Sequence, residues 1–217
     1  MYIFLDSALL SEARQAAQLG WVRGVTTNPT LLAQSDLPVE EILPELAIAI
    51  EGEVFYQLTA RDYEGMLAEG HAALHLLGHQ GVLKIPATAV GFQALAHFID
   101  SAHCAVTAIY SPAQAAVAAA AGAHYAIPYV NRATRLLGDG LVLVQQIAGV
   151  LRGSQTEILA ASLKTPEEAV AALNAGAQHL TLPLNVLQSM TQHPLSEQTI
   201  QEFAVKGTGL THYRHRE

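Results

Sequence analysis

Short, nearly unbroken apolar runs alternate with longer amphipathic stretches from one end of the chain to the other. The runs are YIFLD (2–6), GVTTN (24–28), EVFYQL (53–58), GVLKIP (81–86), HCAVTAIY (103–110), YAIPYV (125–130), EILAAS (157–162) and HLTLP (179–183). Runs of this length without alternation predict strands covered on both faces. Between them, VEEILPELAIAI and DYEGMLAEGHAALHLLG have helical length and a polar side. Pro38 before VEEIL, Ser111-Pro112 before AQAAV and Thr165-Pro166 before EEAVAAL predict helix starts. Gly122 and Gly176 predict helix stops, each followed within a few residues by a strand. AAAAGAHYAIP and ALNAGAQHLTLP are thus one helix–glycine–strand device used twice.

Eight strand–helix units in 217 residues come close to the smallest length for a closed (β/α)8 (TIM) barrel. The rival is an open doubly wound sheet, which would carry a glycine-rich phosphate loop after an early strand. Strand 1 instead ends in FLDSALL and strand 2 in GVTTNPT, with neither GxGxxG nor GxxxxGK(S/T). The α/β pattern therefore predicts one barrel domain over residues 1–217. Residues 196–217 form an added C-terminal helix and a polar tail.

Composition narrows the function. Hydrophobic residues make up 51% of the chain and charged ones 14%, the balance of a globular protein. A net charge of −8 argues against a nucleic-acid partner, which needs a basic face. Small anions stay admissible, since a few local cations suffice. Cys104 is the one cysteine, which excludes an internal disulfide, fits a reducing cytoplasm, and reads in HCAVTAIY as a small buried hydrophobe. MYIFLDSALL lacks the basic region of a secretion signal, and no apolar run reaches the roughly 20 residues that span a bilayer.

In a barrel the functional end is where the strands finish. There the sequence places Asp6 (strand 1), Thr26, Thr27 and Asn28 (strand 2), Gln57 (strand 3), Lys84 (strand 4) and Thr107 (strand 5). Tyr129, Asn131 and Arg132 follow on strand 6, and Ser162 and Lys164 on strand 7. Polar groups at the ends of seven successive apolar strands read as one site.

Lys84 stands between Leu83 and Ile85. Burial there would disfavour the ammonium and lower its pKa. A lysine partly neutral near pH 7 can attack a carbonyl and form a Schiff base. The competing reading is a structural Lys–Asp ion pair, with Asp6 as partner. The chain has only three lysines, Lys84, Lys164 and Lys206, and two fall on strand ends of the same face, which favours the functional reading.

DSALLSEARQA, GVTTNPTLL, the VLKIP lysine strand, TAIYSPAQ, PYVNR and LAASLKTPEEAVAALNAGAQHLTLP occur in this order over essentially the whole chain. Together they resemble the small transaldolase family, and within it the fructose-6-phosphate aldolase-like branch. GVTTNPT and PYVNR are specific, whereas KIP alone would be weak. The resemblance implies a (β/α)8 barrel with a Schiff-base lysine on strand 4, where Lys84 falls. It implies no cofactor and no metal. Lys84 would form an imine with a ketone donor, and Asp6 would orient the donor hydroxyls and relay protons. Thr26 and Asn28 would hydrogen-bond the donor. Gln57, Thr107 and Tyr129 would hold the water that moves protons. Arg132, Ser162 and Lys164 would receive the phosphate of an aldehyde phosphate, for which a guanidinium fork is well shaped.

Gln57 and Tyr129 match the aldolase branch; transaldolases typically have glutamate and phenylalanine at those positions. The implied reaction splits fructose 6-phosphate into dihydroxyacetone and glyceraldehyde 3-phosphate, or runs the reverse addition. The alternatives are a transaldolase that transfers the three-carbon unit, and a barrel that binds a sugar phosphate without turning it over. Three departures bear on specificity. Ile127 replaces a small alanine or serine near the donor's terminal hydroxyl, which predicts preference for hydroxyacetone over dihydroxyacetone. Leu163 replaces an aromatic between the phosphate-side serine and cation, and RATRLLGDG differs from the usual loop after PYVNR.

His71, His75 and His79, four apart, read as a solvent-facing helical stripe without the acidic or cysteine partners of a zinc site. Trp21 and Phe55 read as core, and HYRHRE as a solvated tail. The resemblance also implies a homo-oligomer, a pentamer or a pair of stacked pentamers, with the C-terminal helix reaching a neighbour. The expected partners are a sugar phosphate and a ketone donor, with no membrane and no nucleic acid.

Overall fold

The structure is a computed structural model, described here for residues 1–209. In chain order the elements are β1 (Ile3–Asp6), α1 (Leu10–Gln18), β2 (Gly24–Thr26), α2 (Pro29–Leu32), α3 (Val39–Ala49), β3 (Glu53–Gln57), α4 (Tyr63–Leu77), β4 (Gly81–Pro86), α5 (Ala89–Phe98), β5 (His103–Ile109), α6 (Pro112–Ala120), β6 (Tyr125–Pro128), α7 (Val130–Leu137), α8 (Gly140–Val150), β7 (Glu157–Ala160), α9 (Pro166–Asn174), β8 (His179–Leu182), α10 (Leu184–Ser189) and α11 (Pro194–Lys206). Each strand pairs in parallel with the next. The pairs Ile3↔Leu180, Phe4↔Thr181 and Leu5↔Leu182 close β8 onto β1, which rules out the open sheet.

The strands arise where the apolar runs predict them, but most are shorter. β2 stops at Thr26 and β6 at Pro128, because Asn28 and Tyr129 already sit at the N-caps of α2 and α7. Asn131 and Arg132 therefore lie in the first turn of a helix rather than on a strand. Ser111 and Thr165 accept hydrogen bonds from Gln114 N and Glu168 N, the expected caps ahead of proline. Pro38 is itself the N-cap of α3. Gly122 and Gly176 follow α6 and α9 with φ of +83° and +111°. His71 and His75 lie exposed on α4, but the helix ends at Leu77, so His79 stands beyond it in a 3₁₀ turn.

Two cores form. The larger fills the space between strands and helices. The smaller is a plug inside the barrel, made of Phe4, Phe55, Val82, Ala105, Tyr125, Ile127, Leu159 and Ala161. Its rings interlock at centroid distances of 5.2 Å (Phe4–Phe55) and 5.5 Å (Phe55–Tyr125). Phe55 is core as expected, and half-buried Trp21 packs at the edge of the outer core. Side chains repeat every second residue along a strand. Five of the eight plug residues are therefore followed, one layer nearer the C-terminal mouth, by a polar one: Phe4 by Asp6, Phe55 by Gln57, Val82 by Lys84, Ala105 by Thr107, Ile127 by Tyr129. The plug is the floor on which the site stands.

Gly24 is required for closure. Its φ is +143°, and a Cβ there would lie 2.1 Å from the Glu53 carbonyl oxygen, so only glycine lets β2 approach β3. α11 packs differently from the other helices. No residue of it is buried, and Leu195, Ile200, Phe203 and Val205 are exposed. It begins at Pro194, two residues before the predicted boundary. The tail HYRHRE lies outside the described residues. No helix among those described is long and apolar enough to cross a membrane.

Candidate active site

A cavity of about 530 Å³ opens at the C-terminal mouth of the barrel. Asp6, Asn28, Gln57, Lys84, Tyr129, Arg132, Ser162 and Lys164 line it, together with Ala108 and Leu163. Eight of the ten predicted site residues thus meet around one space of the size expected for a small-molecule ligand. Thr26 and Thr107 do not line it. Both are fully buried inside the barrel, where each hydrogen-bonds a residue that does line the cavity, Thr26 to Asp6 and Thr107 to Tyr129. Two smaller clefts, of 320 and 350 Å³, lie at the opposite end near His79 and are lined by none of these residues.

Lys84 is 3% exposed, and its Nζ donates to the Thr27 carbonyl oxygen at 2.7 Å. Among the described residues the ion pairs within 4.0 Å are His103–Glu53 and His179–Glu157, so Lys84 is not locked against Asp6. Burial lowers the pKa of the amine to about 8, and the nearby Asp6 charge opposes this. Asp6 is shifted the other way. Desolvation raises its carboxyl, against Lys84, a hydrogen bond from Thr26 and the Lys164 charge. Thr26 Oγ1 donates to Asp6 Oδ1 at 3.0 Å and lies 2.6 Å from Thr181 Oγ1. A hydroxyl has one hydrogen, so Thr181 donates to Thr26 and Thr26 to Asp6. Thr181 was not foreseen; a threonine one residue short of a strand end carries no distinctive signal.

Across the mouth, the Tyr129 hydroxyl lies 2.8 Å from Thr107 Oγ1 and donates to Gln57 Oε1 at 3.5 Å. Thr107 therefore orients the phenol. Burial raises the Tyr129 pKa, so the hydroxyl stays protonated at neutral pH. Gln57 and Lys84 are register partners on adjacent strands. Asn28 spends its side-chain oxygen on Leu31 N, 3.0 Å away, as the cap of α2, which leaves its amide N–H groups for a ligand. The Arg132 guanidinium lies over the Tyr129 ring at 5.2 Å.

Among the described residues two non-glycine residues have a left-handed backbone, Ala108 (φ +58°) and Ser162 (φ +61°), and both line the cavity. Such conformations store strain and concentrate at functional sites. The β5–β6 register shifts between Thr107 and Ile109, so Ala108 is a bulge. Ile127 is 1% exposed inside the plug and does not line the cavity; it fills the layer under Tyr129. Cys104 is buried as expected, and burial pushes its thiol up to about 12.

The arrangement offers a desolvated amine able to attack a carbonyl, a carboxylate and a phenol for proton movement, and two cations for an anionic group. The sequence matches the family described as Transaldolase/Fructose-6-phosphate aldolase over residues 3–214. A probable transaldolase of Kosmotoga olearia is 37% identical over 219 residues, covering 97% of this chain and 100% of that protein. A probable transaldolase of Hydrogenobaculum sp. is 38% identical over 206 residues, covering 94% of each. Among solved structures, a mandelate oxidase superposes with a TM-score of 0.64 at 17% identity, covering 94% of this chain and 75% of that one. An inosine 5'-monophosphate dehydrogenase of Legionella pneumophila superposes with a TM-score of 0.61 at 16% identity, over 85% of this chain and 58% of that one. Those two likenesses concern the fold alone. The chain belongs to the transaldolase/fructose-6-phosphate aldolase family.

One further carboxylate braces the site. Glu69 on α4 accepts from the Tyr56 hydroxyl (2.8 Å), Thr59 N (2.8 Å), Thr59 Oγ1 (2.8 Å) and Ala60 N (2.9 Å), which clamps the chain on both sides of Gln57. Burial pushes its pKa up, but the bonds from Ala60, Thr59 and Tyr56 outweigh this and hold it below the ordinary 4.5. Its contribution to stability is thus present above the unfolded value and lost as pH falls through the lower folded one. Glu69→Ala should cost about 1–3 kcal/mol in urea unfolding at neutral pH, and the difference from the native chain should shrink in acid. An unchanged unfolding midpoint would show that the clamp contributes nothing.

Proposed function

We propose that the chain is a cofactor-free class I aldolase that cleaves fructose 6-phosphate to dihydroxyacetone and glyceraldehyde 3-phosphate, and runs the reverse addition with dihydroxyacetone or hydroxyacetone. The observation that carries this reading is the buried Lys84 amine, unpaired with Asp6 and facing the cavity. In the proposed reaction the neutral amine adds to the C2 carbonyl of the sugar and loses water to give an imine. Asp6 takes the proton of the C4 hydroxyl as the C3–C4 bond breaks. The bonding electrons pass into the imine, leaving an enamine on Lys84 and releasing the aldehyde phosphate. Protonation at C3 and addition of water then free the ketone. Gln57 and Tyr129 would hold that water, with Thr107 orienting the phenol. Asn28 would bind the donor, Thr26 would hold Asp6, and Arg132, Ser162 and Lys164 would bind the phosphate.

The second reading is a transaldolase, in which a second aldehyde intercepts the enamine. The names of the relatives support it; Gln57 and Tyr129 support the aldolase. Borohydride with a ketone donor should add mass irreversibly to Lys84, and Lys84→Met should abolish both labelling and cleavage. Normal labelling of that variant would remove the proposal, and no labelling of the native chain would leave a sugar-phosphate-binding barrel. In a coupled assay, fructose 6-phosphate alone should yield glyceraldehyde 3-phosphate. A strict requirement for added erythrose 4-phosphate would select the transaldolase.

Ile127 underlies a proposal on the donor. Ile127 lies beneath Tyr129 and not on the cavity wall, so its bulk would act on the donor through the seat of the phenol, where a smaller residue would leave room for a second donor hydroxyl; this favours hydroxyacetone with its one hydroxyl fewer. Steady-state kinetics should give hydroxyacetone the higher kcat/KM, and Ile127→Ala should narrow the difference. A higher kcat/KM for dihydroxyacetone in the native chain would contradict this.

The proposed setting is the cytoplasm, and the proposed assembly a pentamer or stacked pair of pentamers. A helix of 13 residues with none buried is marginal on its own in water, so α11 is better explained by contact with a neighbouring copy. Light scattering after size exclusion should give a multiple of the monomer mass, and Phe203→Asp should reduce it. A native chain that elutes as a monomer would refute the assembly.

A further inference from the structure

The two cations at the cavity mouth come from different loops. Arg132 follows β6 in the first turn of α7, and Lys164 follows β7 ahead of α9. Backbone bonds tie these connections near the barrel: Val130 N donates to Ala161 O at 2.9 Å and Asn131 N to Ser162 O at 3.0 Å. Beyond that point one side chain, Glu168, supplies the hydrogen bonds between them among the described residues. Glu168 Oε1 accepts from Asn131 Nδ2 at 3.1 Å, and Glu168 Oε2 accepts from Lys164 N at 2.7 Å.

Thr165 and Glu168 have the spacing of a capping box, and Thr165 Oγ1 accepts from Glu168 N at 3.2 Å. In that motif the glutamate normally returns to the backbone N–H of its own cap. Here it reaches one residue further back, to Lys164, and spends its other oxygen on α7. Both oxygens are thus engaged by uncharged N–H groups rather than by either cation. Among the described residues neither Arg132 nor Lys164 has a carboxylate within 4.0 Å. The two adjoin Ser162, whose left-handed backbone must be held in place by its surroundings.

We propose that Glu168 is a positioning residue that fixes the separation of Arg132 and Lys164, and so sets affinity for the anionic group of a phosphorylated aldehyde. This rests on the aldolase reading of the same cavity. Glu168 touches no reacting atom, so its loss should be felt in binding of the phosphate and not in chemistry at Lys84.

The test is the aldol addition of hydroxyacetone to glyceraldehyde 3-phosphate and to unphosphorylated glyceraldehyde, with inorganic phosphate as competitor. Glu168→Ala should raise KM for the phosphorylated aldehyde and the inhibition constant for phosphate about ten-fold, the scale of a lost charge-assisted hydrogen bond. KM for glyceraldehyde and borohydride labelling of Lys84 should stay within about two-fold of the native values. Glu168→Gln keeps the side-chain volume and one acceptor, and should fall between; it carries the test if the alanine variant does not fold. Asn131→Ala should raise KM for the phosphorylated aldehyde too, and the double variant should be no worse than Glu168→Ala, because both remove one shared bond. Equal losses on both aldehydes, or no change on either, would overturn the proposal. Absence of labelling in the native chain would overturn the aldolase reading itself, a result distinct from any effect at Glu168.

Discussion

Everything at the mouth of this barrel depends on keeping one ammonium group out of water without giving it a counter-ion. Lys84 sits in β4 between two core residues, and the hydrogen bond its amine makes is to the uncharged carbonyl of Thr27. Asp6 is near enough to oppose the loss of charge but does not form an ion pair. Lowering the amine from 10.5 to about 8 corresponds to about 3 kcal/mol against the charged form. A close carboxylate would have cancelled that, and a wetter mouth would have prevented it. The same desolvation raises the Asp6 carboxyl above its ordinary value while it lowers the amine, so the two groups are shifted toward each other.

The fold makes this arrangement by two simple rules. The alternation of side chains along a strand puts Asp6, Gln57, Lys84, Thr107 and Tyr129 one layer above plug residues, so the floor of the site is apolar and closely packed. Closure of β8 onto β1 then brings the ends of distant strands together: Thr181 reaches Thr26, and Tyr129 reaches Gln57. Outside the barrel, carboxylates on the following helices hold the loops. Glu69 grips the chain around Gln57, and Glu168 joins the loops that carry Arg132 and Lys164. The cavity-lining groups rest on the sheet and its following loops, and the helix layer supplies hydrogen bonds that hold those loops.

The barrel was legible because strands covered on both faces are apolar without interruption and because eight of them fill the chain. Lys84 was legible as the one charge inside such a run. Strand ends were less so: Asn28 and Tyr129 cap helices, and a capping residue looks the same in sequence as a last strand residue. Thr26 and Thr107 were recognisable as polar strand-end residues, but not as buried partners of Asp6 and Tyr129, since a side chain's partner depends on the neighbouring strand. Thr181 and Glu69 were missed because their bonds span 155 and about ten residues of chain with no local pattern. The left-handed backbone of Ala108 and Ser162 was hidden for a different reason: neither residue type prefers it, so surrounding structure imposes it. Glu168 did leave a trace, the Thr165-x-x-Glu168 spacing, which announces a cap but not its reach to α7.

The most direct test of the central claim is a titration of the lysine amines by NMR, following the carbon next to each nitrogen. With three lysines in the chain, the Lys84 signal is assigned by its loss in Lys84→Met. The account predicts a midpoint near 8 for Lys84. A midpoint at the ordinary 10.5 would mean that the amine is solvated or paired, and would contradict it.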